Sequence, residues 1–211
     1  MIKDHHKINE SKWDRRSQTY DNKKFDYMRL MQRIAISHMG LTENINLLDI
    51  GCGTGWAVIY IARIVNWKGN FFGIDISDGM IEKAINNSKG FDNINFQKVN
   101  AEQIPFQDNF FDKIICTNSF HHYPNPDKVM SEINRVLKLT GRIYILDVTS
   151  DDFFIKWVNK KVQNKEPAHV SFHSSFEYKE LFLKNGLRLI KSKRITYPLK
   201  IHIAEKQKNF A

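Results

Sequence analysis

"LLDIGCGTG", residues 47–55, is an apolar run that breaks into three glycines within five positions. The run reads as a buried strand, and "GWAVIYIARIVNW" (55–67) reads as a helix closed by Asn66 and Gly69. A strand, a glycine turn and a helix together hold a nucleotide-like ligand. Glycines permit positive φ and close backbone approach, and the free N–H groups of the first helical turn attract an anion. The spacing is G-x-G-x-G, not the G-x-G-x-x-G of dinucleotide folds. Asp49 precedes the turn. The next strand, "NFFGIDI" (70–76), carries Asp75 24 residues after Gly51, where a carboxylate accepts both ribose hydroxyls and repels a 2′-phosphate.

Working outward, strand-like and helix-like stretches alternate, which predicts an α/β fold with a mostly parallel sheet. Ser77 caps a helix with Met80, Ile81, Ala84 and Ile85 on one face, ended by Gly90. "INFQKV" (94–99) is a third strand, and "FDKIICTN" (111–118) is a fourth, apolar enough to be central. Asn125 and Pro126 open a helix whose apolar positions Val129, Ile133, Val136 and Leu137 run down to Gly141. "RIYILDV" (142–148) is a fifth strand. Ser174 and Glu177 form a capping box before a helix stopped by Gly186. Residues 187–195 and 199–205 close the sheet around Pro198. Two segments break the alternation. Residues 1–40 read as helical, with Met28, Met31, Ile34, Ala35 and Met39 on one face; residues 149–173 read as a long connection. Both are expected to cover the substrate.

At 211 residues and 42% hydrophobic, the chain builds one substantial core. It has neither a membrane-length apolar run nor a signal-peptide centre, and only two cysteines, Cys52 and Cys116, so a reduced cytoplasmic protein with no membrane role is expected. Cys52 reads as a small residue between turn glycines rather than a nucleophile. Residues 1–155 hold 19 Lys/Arg and 19 Asp/Glu, whereas residues 156–211 hold 13 against 4. That basic third attracts nucleic acid, an acidic membrane surface or an anionic substrate, or is simply a solvated face.

With these blocks in view, the sequence resembles the class I S-adenosylmethionine-dependent methyltransferases, in the broad group that includes the ubiquinone/menaquinone C-methyltransferases. "LLDIGCGTG", "GIDIS" with Met80, "VNAEQIPFQDNFFDKIICTNSFHHYPNPDKVMSEINRVL" (99–137) and "GRIYILD" (141–147) match its blocks in order, over about half of the chain. The resemblance implies a Rossmann-like seven-stranded sheet, mostly parallel, with helices on both faces and the last strand antiparallel. It implies a single methyltransferase domain: a helical lid (1–40), a cofactor core (45–148), and a substrate cover with closing strands (149–211).

The resemblance also assigns roles. Gly51, Cys52, Gly53 and Gly55 would hold the methionyl amine and carboxylate of S-adenosylmethionine, with Asp49 orienting the loop or the ammonium. Asp75 would take the ribose, and Ile76 and Met80 the adenine. Asn100, Ala101 and Glu102 would line the adenine edge; Asn100 stands where the family commonly has Asp, and its amide oxygen still accepts a hydrogen bond. Asn118, Ser119 and Phe120 would face the methyl, and Tyr20, with Trp13 behind it, would fold over the cofactor. His121, His122 and His173 are candidates for a general base, with packing or hydrogen bonding as the alternative for the first two. His169 and His173, four residues apart, have no carboxylate or cysteine beside them, so no metal is expected.

The expected reaction is in-line methyl transfer to a carbon, nitrogen or oxygen of a small molecule, leaving S-adenosylhomocysteine. Nucleic acid is disfavoured, because "NSFHHY" (118–123) replaces the Pro-Pro-aromatic motif of base-amine methyltransferases. The alternatives are an RNA or protein acceptor held by the basic third, or a cofactor-binding protein without transfer. An NAD oxidoreductase ranks last.

Overall fold

The computed structural model describes residues 2–20 and 26–207. In chain order the helices are α1 (Ile2–Ser17), α2 (Asp26–Ser37), α3 (Trp56–Ile64), α4 (Asp78–Asn87), α5 (Pro126–Val136), α6 (Phe153–Lys165) and α7 (Ser175–Lys184). The strands are β1 (Ile45–Ile50), β2 (Gly69–Asp75), β3 (Ile94–Lys98), β4 (Phe111–Thr117), β5 (Leu137–Val148), β6 (Leu187–Arg194) and β7 (Leu199–Lys206). They form one sheet in the order β3-β2-β1-β4-β5-β7-β6. β1 to β5 pair in parallel, and β7 runs antiparallel to both of its neighbours. From β1 the chain first winds towards β3 and then switches to β4 on the other side. A doubly wound sheet opens a crevice at the strand ends where that direction reverses.

Alternation along each strand divides the core. Leu47, Phe71, Ile115, Tyr144 and Leu146 face α2, α3 and α4. Leu48, Ile50, Ile74, Ile114, Cys116, Ile143 and Ile145 face α5 and α7. All twelve are at most 1% exposed, and side chains covered on both sheet faces are the reason the central strands read as continuous apolar runs. Local signals set the helix starts. The Ser77 hydroxyl accepts from Met80 N–H, and the Ser174–Glu177 capping box is complete.

Two expectations are corrected. The helical pattern predicted down to Gly141 stops at Val136, and Leu137 to Val148 form a strand. Leu137, fully buried, pairs with Phe111 in the ladder, so sheet pairing overrides the helical spacing. The predicted long connection 149–173 holds a helix, α6, capped by the Asp152 carboxylate on Ile155 N–H. Ile155 is its one buried residue, which leaves no apolar stripe for sequence periodicity to detect. At the other end of the chain, α2 belongs to the core through Met31, Ala35 and Ile36, and of the two helices α1 supplies side chains to the crevice. Residues 21–25 of the expected lid lie outside the described residues.

Candidate functional site

The crevice encloses about 670 Å³, its open mouth included, at the carboxyl ends of β1, β2 and β4. Its floor is the glycine turn. Gly51 and Cys52 N–H both bond the Ile74 carbonyl, at 2.8 and 3.0 Å, which folds the turn onto the end of β2. Gly51 has φ +72°, and a Cβ there would meet Ser119 Oγ at 2.0 Å. Gly55, at φ +81°, is the N-cap of α3, where a Cβ would strike Phe96 at 2.5 Å. At both positions only glycine fits.

Two carboxylates flank this turn on adjacent strands. Asp75 Oδ2 accepts Gly53 N–H at 2.9 Å and Oδ1 accepts Ser77 N–H at 3.0 Å. Burial raises its pKa, and these backbone donors oppose the rise. Asp49 is 1% exposed, and burial, with Asp75 nearby, pushes its pKa up to about 8. Its Oδ1 has no hydrogen-bond partner, nor does Nδ2 of Asn118, a residue held at φ +53° at the end of β4. Buried polar atoms without partners are uncommon, and at a crevice they mark places where a ligand completes the bonding. Two neighbouring carboxylates, Asp49 buried and Asp75 half-buried, favour a cation, and the glycine-turn amides favour an anion. An amino-acid ligand carries both charges, and S-adenosylmethionine therefore fits this donor set.

α1 forms the roof with His6, Asn9 and Trp13, and Tyr20 follows beyond its end. Its Asp14 Oδ1 accepts from Ser77 Oγ at 2.6 Å and from Gly79 N–H at 3.0 Å, so it caps α4 from another helix. A Cβ on Gly79 would meet Ser17 Oγ at 2.6 Å; glycine there lets the two helices touch. Glu10 pairs with Lys98 at 2.6 Å, and His6 with Glu102 at 3.1 Å. Asn9 Nδ2 donates to the His122 carbonyl at 3.1 Å, and the Trp13 indole stands edge-on to the His122 ring, 5.2 Å between centroids.

Three imidazoles meet on the far side of the crevice, under residues 166–173. His121 Nδ1 lies 2.7 Å from Asp147 Oδ1, and its backbone N–H donates to Oδ2 at 3.0 Å. The Asp147 carboxylate is a hydrogen-bond acceptor, so Nδ1 is the donor and any lone pair of the ring is on Nε2. His122 Nδ1 likewise donates to the Ala168 carbonyl at 2.6 Å, and burial holds its pKa well below the usual histidine value. His169 is held to about 4, first by burial, and binds Asn159 Oδ1 at 2.7 Å. Among the described residues no group of three His, Cys, Asp or Glu side chains is arranged to hold a metal.

The sequence profile of a family described as a methyltransferase domain matches residues 41–202. The chain belongs to that family. It is 33% identical over 145 residues to the uncharacterized methyltransferase YcgJ of Bacillus subtilis, covering 67% of this chain and 56% of that protein. It is 32% identical to the ubiquinone/menaquinone biosynthesis C-methyltransferase UbiE of Pectobacterium atrosepticum, over 71% of this chain and 58% of that one. It therefore spans little more than half the length of these curated relatives. A crystal structure of a SAM-dependent methyltransferase from Aquifex aeolicus superposes with a TM-score of 0.73 at 23% identity, covering 90% of this chain and 97% of that one, which shows the shared fold.

In this member of the family the crevice is lined by Tyr20, Gly51, Gly53, Asp75, Ile76, Met80, Asn100, Ala101, Asn118, Ser119 and His122, all singled out in the sequence. Asp49, Cys52 and Gly55 do not line it. Cys52 is buried, and burial raises its thiol pKa well above the usual value. Glu102 does not line the crevice; its carboxylate takes His6 and, at 2.8 Å, Asn125 Nδ2, joining α1 to the start of α5. Asn100 Oδ1 accepts Glu102 N–H at 3.0 Å and has a second lone pair left for an adenine amine. His173 packs between Phe120 and Tyr178, away from the crevice, and burial lowers its pKa. His6, Asn9, Asp14, Tyr123 and Asp147 were not singled out. The one available signal was for Asp147, an acid ending an apolar strand as Asp49 does. α1 is too polar along its length to announce a packed face.

Proposed function

We propose that this methyltransferase binds S-adenosylmethionine between the glycine turn and α1 and transfers its methyl to a small molecule approaching from the His121 side. When bound, the cofactor supplies a sulfonium-activated methyl. The chain's residues then have to hold it, exclude water and align a nucleophile. The observation that carries the reading is the crevice lining itself, in which the glycine turn, Asp75 and the unpartnered Asn118 amide meet. Asp75 takes the ribose hydroxyls, Asp49 the ammonium side, and Ile76, Met80 and Ala101 the adenine. α1 is the lid over this core, and residues 149–173 cover the acceptor.

His121, oriented by Asp147, is the base for an acceptor that must lose a proton. An oriented imidazole with a free Nε2 lone pair is suited to a phenolic or enolic proton. The name of the UbiE relative, a C-methyltransferase of quinone biosynthesis, supports a ring carbon as the nucleophile. The test is calorimetry with S-adenosylhomocysteine, followed by a screen of phenolic and other small acceptors for its release from S-adenosylmethionine. Micromolar binding and acceptor-dependent release are expected; the absence of binding refutes the reading.

A further inference from the structure

Five large side chains from three separate segments are exposed along one edge of the molecule. Phe153 is 85% exposed, Phe154 57%, Trp157 46%, Phe176 69% and Tyr197 50%. Hydrogen bonds join the segments that carry them. Asp151 accepts from Ser175 N–H at 2.6 Å and Ser175 Oγ at 2.8 Å, linking the start of α6 to the start of α7. The Tyr197 hydroxyl donates to Asp152 Oδ1 at 3.3 Å, linking the β6–β7 turn to the α6 cap. Val148 pairs with Leu199 and Thr149 N–H with the Pro198 carbonyl. The cluster therefore sits where β5 ends and β7 begins, at the same edge of the sheet as the crevice.

Single exposed aromatics are ordinary, but a contiguous group is a contact surface. Its chemistry is set by what surrounds it. α6 presents Lys156, Lys160, Lys161 and Lys165, all exposed, and contains no carboxylate. On the helix, Phe153 and Trp157 stand four residues apart, on the same side as Lys160 and Lys161, opposite the buried Ile155. The Phe154 and Trp157 rings stack at 6.1 Å, and Lys161 Nζ lies 3.6 Å from the Trp157 ring centre. Nearby acids are largely occupied. Asp151 is ion-paired with Lys200, Asp152 caps α6, Glu166 pairs with Lys12 at 3.0 Å, and Glu177 closes the capping box, which leaves Glu180 on α7 in solvent.

We propose that this edge is a docking surface for an anionic phospholipid membrane. Phe153, Phe154 and Trp157 enter the headgroup–acyl boundary, where aromatic rings are most stable, and the α6 lysines lie against the lipid phosphates. No described helix is long and apolar enough to cross a membrane, and none is needed. The expectation of no membrane role rested on the absence of an apolar run. A peripheral surface assembled from three short segments leaves no such run. Docking turns the crevice edge towards the bilayer, so an acceptor dissolved in lipid reaches it without crossing water. The proposal stands on the surface alone and does not require methyl transfer.

The test is vesicle flotation of the full chain with phosphatidylcholine vesicles with and without 30 mol% phosphatidylglycerol, at low and high salt. Binding to the anionic vesicles is expected, weakened by salt and at least tenfold weaker in both F153S/F154S and K160E/K161E. Melting temperature and S-adenosylhomocysteine affinity are measured on each variant; both are expected unchanged, which separates this proposal from the cofactor reading. Three outcomes overturn it: no binding to anionic vesicles at low salt, binding indifferent to F153S/F154S, or single-stranded RNA displacing the vesicles at lower concentration than it takes to saturate them. Sedimentation showing a dimer abolished by F153S/F154S also overturns it, since a second copy then covers the edge.

Discussion

Asp75 holds the glycine turn: its Oδ2 accepts the Gly53 amide at 2.9 Å, while its Oδ1 takes the amide of Ser77 at 3.0 Å. One carboxylate thus ties the end of β2 to the turn after β1 and to the start of α4. Asp75→Ala removes these bonds as well as the proposed ribose contact. A loss of S-adenosylhomocysteine affinity on the order of 1–3 kcal/mol is expected, together with a lower melting temperature. Calorimetry and thermal melts read the two effects, and an unchanged dissociation constant removes Asp75 from the ligand.

Asp49 makes the ligand-free protein pH-sensitive. Its pKa is raised to about 8 by burial, from an ordinary value of 3.8. A raised carboxyl contributes most stability in acid, and that contribution declines as pH climbs from about 4 through 8. Asp49→Asn should therefore gain melting temperature over the parent, by more at pH 8.5 than at pH 5.5. The ionised form is the one that attracts an ammonium. Between pH 6.5 and 8.5 the parent's affinity for S-adenosylhomocysteine should rise on the order of tenfold, and that of Asp49→Asn should stay flat. Parallel profiles for the two proteins contradict this.

Asp14 fastens the roof. Its bonds to Ser77 and Gly79 are shared between α1 and α4, with Glu10–Lys98 and His6–Glu102 on either side. Asp14→Ala should leave the crevice floor intact and speed ligand escape about tenfold, in line with loss of a charge-assisted bond. Stopped-flow displacement of S-adenosylhomocysteine measures that rate; equal rates make α1 a fixed wall rather than a lid.

For the histidines, His121→Ala should lower turnover on a proton-losing acceptor about 10²–10⁴-fold while cofactor affinity stays within about twofold. His173→Ala should lower the melting temperature with turnover per folded molecule unchanged, because His173 lies among Phe120 and Tyr178. Single-turnover rates separate the two, and normal turnover in His121→Ala excludes it as an obligatory base.

The glycine turn was legible because its constraints are local. A positive φ and a near backbone approach leave glycine as the only fitting residue, and a buried parallel strand writes itself as "INLLDI" (45–50). The same holds for the Ser174–Glu177 capping box. α6 was not legible, since one buried residue carries no period. Nor was the end of α5, where Leu137 serves helical spacing and strand pairing equally well and only its partner Phe111 decides.

Sequence alone therefore determined the succession of the seven strands along the chain, the crevice edge of the sheet and most of the crevice lining, because those depend on conformational limits and on alternation within one segment. Tertiary structure decided which polar residues meet: Asp147 with His121, Asp14 with Ser77, Asp151 with Ser175, and through the last pairing the exposed aromatic edge. These partners stand 24 to 63 residues apart. A polar side chain on a surface helix has no periodic signature, and its partner is chosen only when the sheet has brought the two segments together.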